Sequence, residues 1–393
     1  MSKILIVDDE TQILKVMTRL FLETDYEILI AENGLDALKL MAENDVDLII
    51  SDMKMPLMDG YELLSRVKEQ YPDTIRISLS GYAEEASMFR ASLHNIADFN
   101  IFKPWNNQNL LQSIKKIIAT HASLNSEGLE RIKNISSLQY KTPENCQKFL
   151  RLINEEDEEL LVSEIEQDPK ISHLLMKIAN SAIYGAMPGS VKQAALYIGM
   201  HNLKCFLHWA AMTMNADDPE QDEGDLGLLW KQAYSTNKIM LFLYESLLHK
   251  QPPEASLFAG LLHNTGLMAL YRANPQIYQN QFSSNSLMSQ DILALENAKL
   301  GITHQEVGGY LLNKWDLPFS LIEAALYHHR PLDPNIINTE LVASVHIAQY
   351  YSWKFLLGKE HVELEEEAFD RLGFSQKDFE IRLERYMKKV LLV

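Results

Sequence analysis

The sequence predicts a doubly wound α/β unit, built on a parallel five-stranded sheet, followed by an all-α domain. Three observations carry this. Five short Ile/Leu/Val-rich runs recur in the first 120 residues, with helical patterns between them. Acidic, hydroxyl and lysine side chains fall at the carboxyl ends of four of those runs. After residue 140, strand-like alternation is scarce and helical spacing dominates.

The runs are KILIVD (3–8), EILIAE (27–32), DLIISD (47–52), IRISLS (75–80) and FNIFKP (99–104). Continuous apolar runs mark strands buried on both faces, as in a parallel sheet. Between them, Leu35, Leu38 and Met41, then Leu63, Leu64 and Val67, follow helical spacing. Strand and helix thus alternate as in a doubly wound fold. Residues 106–120 (NNQNLLQSIKKIIAT) close the unit as an amphipathic helix, with Leu110, Leu111, Ile114, Ile117 and Ile118 on one side. No GxGxxG follows the first run, so dinucleotide binding is unsupported.

Composition narrows the function. A chain of 393 residues exceeds one hydrophobic core, so two or more domains are expected. No segment approaches the ~18 uninterrupted apolar residues of a membrane span, and MSKILIVDDE lacks a cationic-then-apolar leader. Two cysteines, Cys146 and Cys205, cannot make a disulfide framework or a thiolate zinc cluster. A cytoplasmic protein is expected. The formal net charge of -18 and the lack of a Lys/Arg-rich block make nucleic acid a poor partner.

Ligands of such sheets sit beyond the carboxyl ends of the strands. There the sequence places Asp8 and Asp9, Asp52, Ser80 and Lys103. One strand-end carboxylate is ordinarily a solvated loop residue, but four strand ends converging on one chemistry call for another explanation. Converging carboxylates repel unless a cation joins them, and oxygen-only ligands favour Mg²⁺ with several waters retained. Lys103 adds a fixed positive charge and Ser80 a hydroxyl donor. The set suits an acyl phosphate formed on one carboxylate.

IVDDE (6–10), SDMKMPLMDG (51–60), SLSGYA (78–83) and FKPW (102–105) closely resemble the receiver domain of two-component response regulators, which has a flavodoxin-like fold. The resemblance covers about residues 3–120. It implies that Asp52 accepts a phosphoryl group from a sensor histidine kinase. Asp8, Asp9, Asp52 and the Lys54 backbone carbonyl would hold Mg²⁺, and Ser80 and Lys103 would read the phosphorylated state. One departure is Asn100, where many receivers carry an aromatic three residues before the lysine; the switch is expected to differ there.

The boundaries expected are a receiver over 1–120, a linker over 121–137, a helical domain over 138–335 and a helical extension over 336–393. Within the helical part, Asp168 is a good N-cap with Pro169 at N1, and Ile171, Leu174, Leu175 and Ile178 form one stripe. Asn180 and Ser181, near the expected helix end at Tyr184–Gly185, read as end-of-helix hydrogen-bonding groups. Further helices are expected around 190–214, 226–249, 254–272, 287–313, 318–329 and 338–357. Trp209, Trp230, Trp315 and Trp353 read as core. The run ELEEEAFDRL (363–372) reads as a solvated helix face and RLERYMKKVLLV (382–393) as a docking helix.

His263, His304, His328 and His329 lie within 67 residues, on or near helices. A lone histidine near a core is more often a hydrogen-bonded structural residue than a ligand. The segments QDPKISHLLMKIANSAIYG (167–185), VKQAALYIGM (191–200), FAGLLHNTGLMAL (258–270), ITHQEVGGYLLNKWDLP (302–318) and ALYHHRP (325–331) resemble, in this order, the HDOD branch of the HD phosphohydrolase superfamily. A working HD hydrolase holds metal through a first His, a His-Asp doublet and a late Asp. Here Gln232 falls nearest the first position, the doublet is His263-Asn264, and Gln349 stands at the last. Neutral amides bind transition metals weakly. The resemblance therefore implies a vestigial HD site comprising His263, Asn264, His304, His328 and His329, with no metal in that domain and no enzyme activity. RPLDPNI after His328-His329 also departs from the Gly-Tyr-Pro segment of relatives that hydrolyse cyclic di-GMP.

The expected function is phosphorelay signalling, in which phosphorylated Asp52 switches the protein contacts of a silent HDOD domain. Its partners would be a sensor kinase, a downstream signalling protein or a second copy of the chain. The alternative is a receiver-controlled phosphohydrolase acting on a phosphoester or cyclic dinucleotide.

Overall fold

Ile4, Leu5, Ile6 and Val7 are all fully buried, so the first strand, β1 (Lys3–Val7), runs through the middle of its sheet. This computed structural model describes residues 2–81, 96–124, 144–154, 157–179, 188–213, 225–278, 292–358 and 362–390. It divides into two compact units, Met1–Ser123 and Leu124–Val393.

In the first unit, β2 (Glu27–Ala31), β3 (Leu48–Asp52), β4 (Ile75–Gly81) and β5 (Phe99–Lys103) join β1 in the order β2-β1-β3-β4-β5. Every pairing is parallel. Strand order reverses between β1 and β3, which opens a crevice at their carboxyl ends. Helices α1 (Thr11–Leu20), α2 (Gly34–Glu43), α3 (Gly60–Gln70) and α4 (Asn107–Leu124) complete the unit. Asn33 caps α2 by accepting from Asp36 N at 3.0 Å, and Asp59 caps α3 by accepting from Glu62 N at 2.8 Å. Helix α4 extends to Leu124, into the stretch expected to be linker; residues 125–137 of that stretch lie outside the described residues.

Among the described residues of the second unit, the regular secondary structure is helical. Its first helices are α5 (Glu144–Asn154), α6 (Glu158–Gln167) and α7 (Pro169–Ala179). Asp168 Oδ1 accepts from Lys170 N and Ile171 N, each at 3.0 Å, and the stripe Ile171, Leu174, Leu175 and Ile178 is buried, as expected. Then come α8 (Val191–Ile198), α9 (Met200–Thr213), α10 (Asp225–Ser246), α11 (Ala259–Leu262) and α12 (Thr265–Ala273). After these follow α13 (Ile292–Leu300), α14 (His304–Lys314), α15 (Phe319–Tyr327), α16 (Thr339–Leu357), α17 (Glu367–Leu372) and α18 (Gln376–Val390).

Three of the expected helices are broken in two. The 190–214 helix divides at Gly199, whose φ of 78° leaves the helical region. The 254–272 helix breaks at His263–Asn264. The 287–313 helix divides at Gly301 (φ 67°), and Thr303 and Glu306 form a capping box that restarts the chain as α14. Periodicity ran on through each break because both flanking helices bury apolar residues in one core.

Trp209, Trp230 and Trp353 are buried; Trp315 is half-buried and stacks on His208 at 4.5 Å between ring centroids. The acidic run at 363–372 is not wholly a solvated face, since Ala368, Phe369 and Leu372 are buried. Among the described residues, no helix is long and apolar enough to cross a membrane. Tyr82, Ala83, Asn180, Ser181, Tyr184 and Gly185 lie outside the described residues.

Candidate functional site

The crevice at the strand ends gathers Asp8, Asp52 and Lys103. Asp8 follows β1 and is fully buried; Asp52 ends β3 at 6% exposure. From the end of β5, Lys103 Nζ donates to Asp8 Oδ2 at 2.8 Å and also to Asp52 Oδ1. The remaining carboxylate oxygens take backbone donors. Glu10 N reaches Asp8 Oδ1 at 2.9 Å, and Lys54 N reaches Asp52 Oδ2 at 2.6 Å. Asp9 and Lys54 are exposed at the rim.

Charge in this pocket does not balance. Two buried carboxylates share one ammonium, and burial pushes the Asp8 carboxyl above its usual pKa despite opposing hydrogen bonds from Lys103 and Glu10. Burial also disfavours the Lys103 ammonium, but its bonds to Asp52 and Asp8 win and raise its pKa. Ser80 is fully buried, and among the described residues its Oγ finds no hydrogen-bond partner. It follows Leu79, the residue of β4 paired with Asp52. Excess negative charge, all-oxygen donors and an orphan hydroxyl fit a small hard cation and an incoming anionic group.

Two further features shape the pocket. Gly60 opens α3 directly against the end of β3, and a Cβ there would come within 2.1 Å of Asp52 O. Only glycine permits that approach. Asn100 pairs with Ser78 across β4 and β5, and its side-chain oxygen accepts from Ser78 Oγ. A polar contact within the sheet thus stands at the position where many receivers carry an aromatic.

The helical unit brings the other singled-out residues together in two adjoining knots. In the first, Asn264 Nδ2 donates to Gln232 Oε1 at 3.0 Å, and Gln232 Nε2 donates to Thr236 Oγ1 at 3.0 Å. His263 Nδ1 lies 2.8 Å from Gly260 O, and burial drives its pKa down to about 3. In the second knot, His304 Nε2 lies 3.2 Å from His328 Nε2 and 3.1 Å from His329 Nε2. The His263 and His328 rings meet edge-on at 5.0 Å and join the two. Gln349 Nε2 donates to His328 O at 3.3 Å.

Three buried groups here were not singled out from the sequence. Glu296 Oε2 accepts from both N and Nδ1 of His304 at 2.8 Å, and Tyr278 OH donates to Glu296 Oε1 at 2.8 Å. His346 Nδ1 lies 2.7 Å from His328 O. Glu296 sits eight residues before His304, across the Gly301 turn. A fully buried acid on an apolar helix was the available signal, but burial is not visible in a single sequence.

Comparison with known proteins matches both units. The response regulator receiver domain model matches residues 4–115, and the HDOD domain model matches residues 140–331. Sporulation initiation phosphotransferase F of Bacillus subtilis is 34% identical over 117 residues, covering 30% of this chain and 94% of that protein. The hydrogenase transcriptional regulatory protein HoxA of Bradyrhizobium diazoefficiens is 35% identical over 116 residues, covering 29% of this chain but only 24% of its own length. A crystal structure of the signal receiver domain of an HD domain-containing protein from Pseudomonas fluorescens Pf-5 is 34% identical, covering 31% of this chain and 98% of that one, with a TM-score of 0.30.

Proposed function

Since this chain belongs to the response regulators, with a receiver domain followed by an HDOD domain, we propose that Asp52 is its phosphoacceptor and the HDOD domain its non-catalytic output. One observation carries the first half: Lys103 joins the buried carboxylates of Asp8 and Asp52 at the switch point of the sheet. Receiver domains accept phosphoryl groups from sensor histidine kinases, and such a kinase is the proposed upstream partner. An Asp52 oxygen forms the new P–O bond as the P–N bond of a phosphohistidine breaks, and the departing imidazole takes up a proton.

Mg²⁺ would be held by Asp8, Asp9, Asp52 and the Lys54 carbonyl, and when bound it supplies charge neutralisation at the phosphoryl oxygens. Lys103 would add a second positive charge for the same oxygens. Ser80, whose buried hydroxyl has no partner among the described residues, would read a phosphoryl oxygen. Phosphorylation adds about -1.5 to -2 charge at neutral pH. That charge competes for Lys103 and Ser80 and so biases the unit between two packings.

The output reading rests on the amide knot. Gln232, Asn264 and Gln349 stand where the resemblance implies metal ligands, and none carries charge to offset a dinuclear centre. The domain would then work by binding, presenting or hiding a helical surface for a signalling protein or a second copy of the chain.

An affinity capture from the source cells, with and without a beryllofluoride-loaded receiver, tests this reading. A partner set that changes with the phosphoryl mimic, and is lost in Asp52→Asn, supports it. An unchanged partner set, together with turnover of a phosphodiester by the purified protein, would replace it with the phosphohydrolase reading.

A further inference from the structure

We infer that Trp230, Tyr234, Lys177 and Lys238 form a binding site for a phosphoryl-bearing small molecule on the helical unit. Trp230, Tyr234 and Lys238 follow one another at four-residue steps along α10 and so share one face of it. Gln232 is two residues on from Trp230, fully buried, and part of the amide knot on another face. The patch uses none of the residues that the HD resemblance implies.

Aromatic rings set the positions of the two ammonium groups. The Trp230 and Tyr234 rings are nearly parallel, at 14°, with centroids 5.3 Å apart. Trp209 of α9 backs Trp230 at 5.7 Å. Lys177 Nζ, from α7, stands 5.4 Å from the centroid of Trp230 and 5.6 Å from that of Tyr234. Lys238 Nζ stands 5.2 Å from the Tyr234 centroid. Electron-rich ring faces attract cations, so the rings hold both positive charges in place without a carboxylate.

Hydrogen-bonding capacity in this patch is one-sided. Trp230 is buried, and among the described residues its Nε1 has no hydrogen-bond partner. An indole N–H can only donate. Burial first, and Tyr386 of α18 second, push the Tyr234 phenol up to about 12, so it keeps its proton at neutral pH. Burial lowers the pKa of Lys238, and among the described residues no carboxylate pairs with it to offset that cost. In a chain with 54 acidic against 36 basic side chains, a half-buried lysine without an acid is a departure. An orphan donor beside such a lysine is expected where a ligand brings the acceptors.

The donor set also names the ligand class. Two ammonium groups, an indole and a phenol outnumber the two oxygens of a single carboxylate. A phosphoryl group brings three strong acceptor oxygens and close to two negative charges. Lysine binds such a group as a point charge, and each charge-assisted hydrogen bond is stronger than a neutral one.

The full-length protein labelled with ¹⁵N-tryptophan tests this, since its five tryptophans give five indole N–H signals. Trp230→Phe identifies the signal to follow. Inorganic phosphate, pyrophosphate and citrate are each titrated in at constant ionic strength. The expected result is a saturable downfield shift of the Trp230 indole proton with phosphate or pyrophosphate. Lys238→Met should weaken that binding about tenfold or more, the loss of one charge-assisted hydrogen bond, with the other four indole signals at their wild-type positions. A Trp230 signal that neither phosphate compound moves in the wild type would overturn the site, and so would undiminished affinity in Lys238→Met. An equal response to citrate would overturn the phosphoryl assignment. The readout is local to α10, so no outcome bears on phosphorylation of Asp52, and the two readings fail separately.

Discussion

The Asn264 side-chain amide donates to the Gln232 side-chain carbonyl across 3.0 Å, between two helices and fully out of water. The bond satisfies the Asn264 amide nitrogen and the Gln232 carbonyl in a neutral polar seam, while Asn264 Oδ1 has no hydrogen-bond partner among the described residues. The interaction is geometrically good and carries no charge. That is how a buried polar pair persists in an apolar core.

Asn264→Asp replaces the donor with a second acceptor facing Gln232 Oε1. The substitution should lower the unfolding free energy by ~1–3 kcal/mol in urea titrations, the cost of an unmade buried hydrogen bond. It should not by itself create metal binding, because Gln232 and Gln349 remain amides. Unchanged stability would mean that the seam relaxes more freely than its packing implies.

Gly266, two residues on, marks the tightest approach in this region. A Cβ there would stand 2.0 Å from His304 O and 2.4 Å from Gly308 N, both backbone atoms that cannot step aside. Gly266→Ala should therefore cost ~2–3 kcal/mol through overpacking of α12 against α14. Comparing Tm of the variant and the wild type by calorimetry checks it.

Legibility in the sequence followed physical cause. The five strands could be read because buried parallel strands are unbroken apolar runs, and the pocket because Asp8, Asp52, Ser80 and Lys103 all end such runs. Helix breaks at Gly199, His263–Asn264 and Gly301 could not. A break between two buried helices leaves apolar spacing intact on both sides. The histidines were visible, but their convergence depends on how α14 and α15 pack, and Glu296 enters only through that packing. The meeting of the His304, His328 and His329 rings is a property of tertiary structure alone.

His208 carries an acid-sensitive share of stability. Burial first, and Lys204 second, push its pKa down to about 3, from an unfolded value near 6.5. The unfolded chain therefore binds a proton that the folded chain refuses, and stability falls as pH drops below about 6.5 toward 3. At pH 5 this amounts to about 2 kcal/mol. His208→Phe keeps the ring stacked on Trp315 and should flatten the decline of unfolding free energy between pH 7 and pH 5. His263 and His346 are also held well below the ordinary value by burial, so a slope remains. A slope identical to the wild type would show that His208 does not contribute.

Lys103→Met removes the ammonium that Asp8 and Asp52 share. In chelator the variant should be less stable by ~1–3 kcal/mol, from two facing carboxylates left without a cation. Added Mg²⁺ should recover more stability in the variant than in the wild type, because binding to the folded state alone stabilises it. Urea titration with and without Mg²⁺ reads both effects. Equal recovery in the two proteins would place the cation elsewhere.

Phosphorylation of the full-length chain by acetyl phosphate, with the modified residue located by mass spectrometry, bears most directly on the proposed mechanism. The expected result is one Mg²⁺-dependent acyl phosphate on Asp52, absent in Asp52→Asn and absent when Mg²⁺ is chelated. A phosphoryl group retained by Asp52→Asn, or placed on another residue of the wild type, would contradict it.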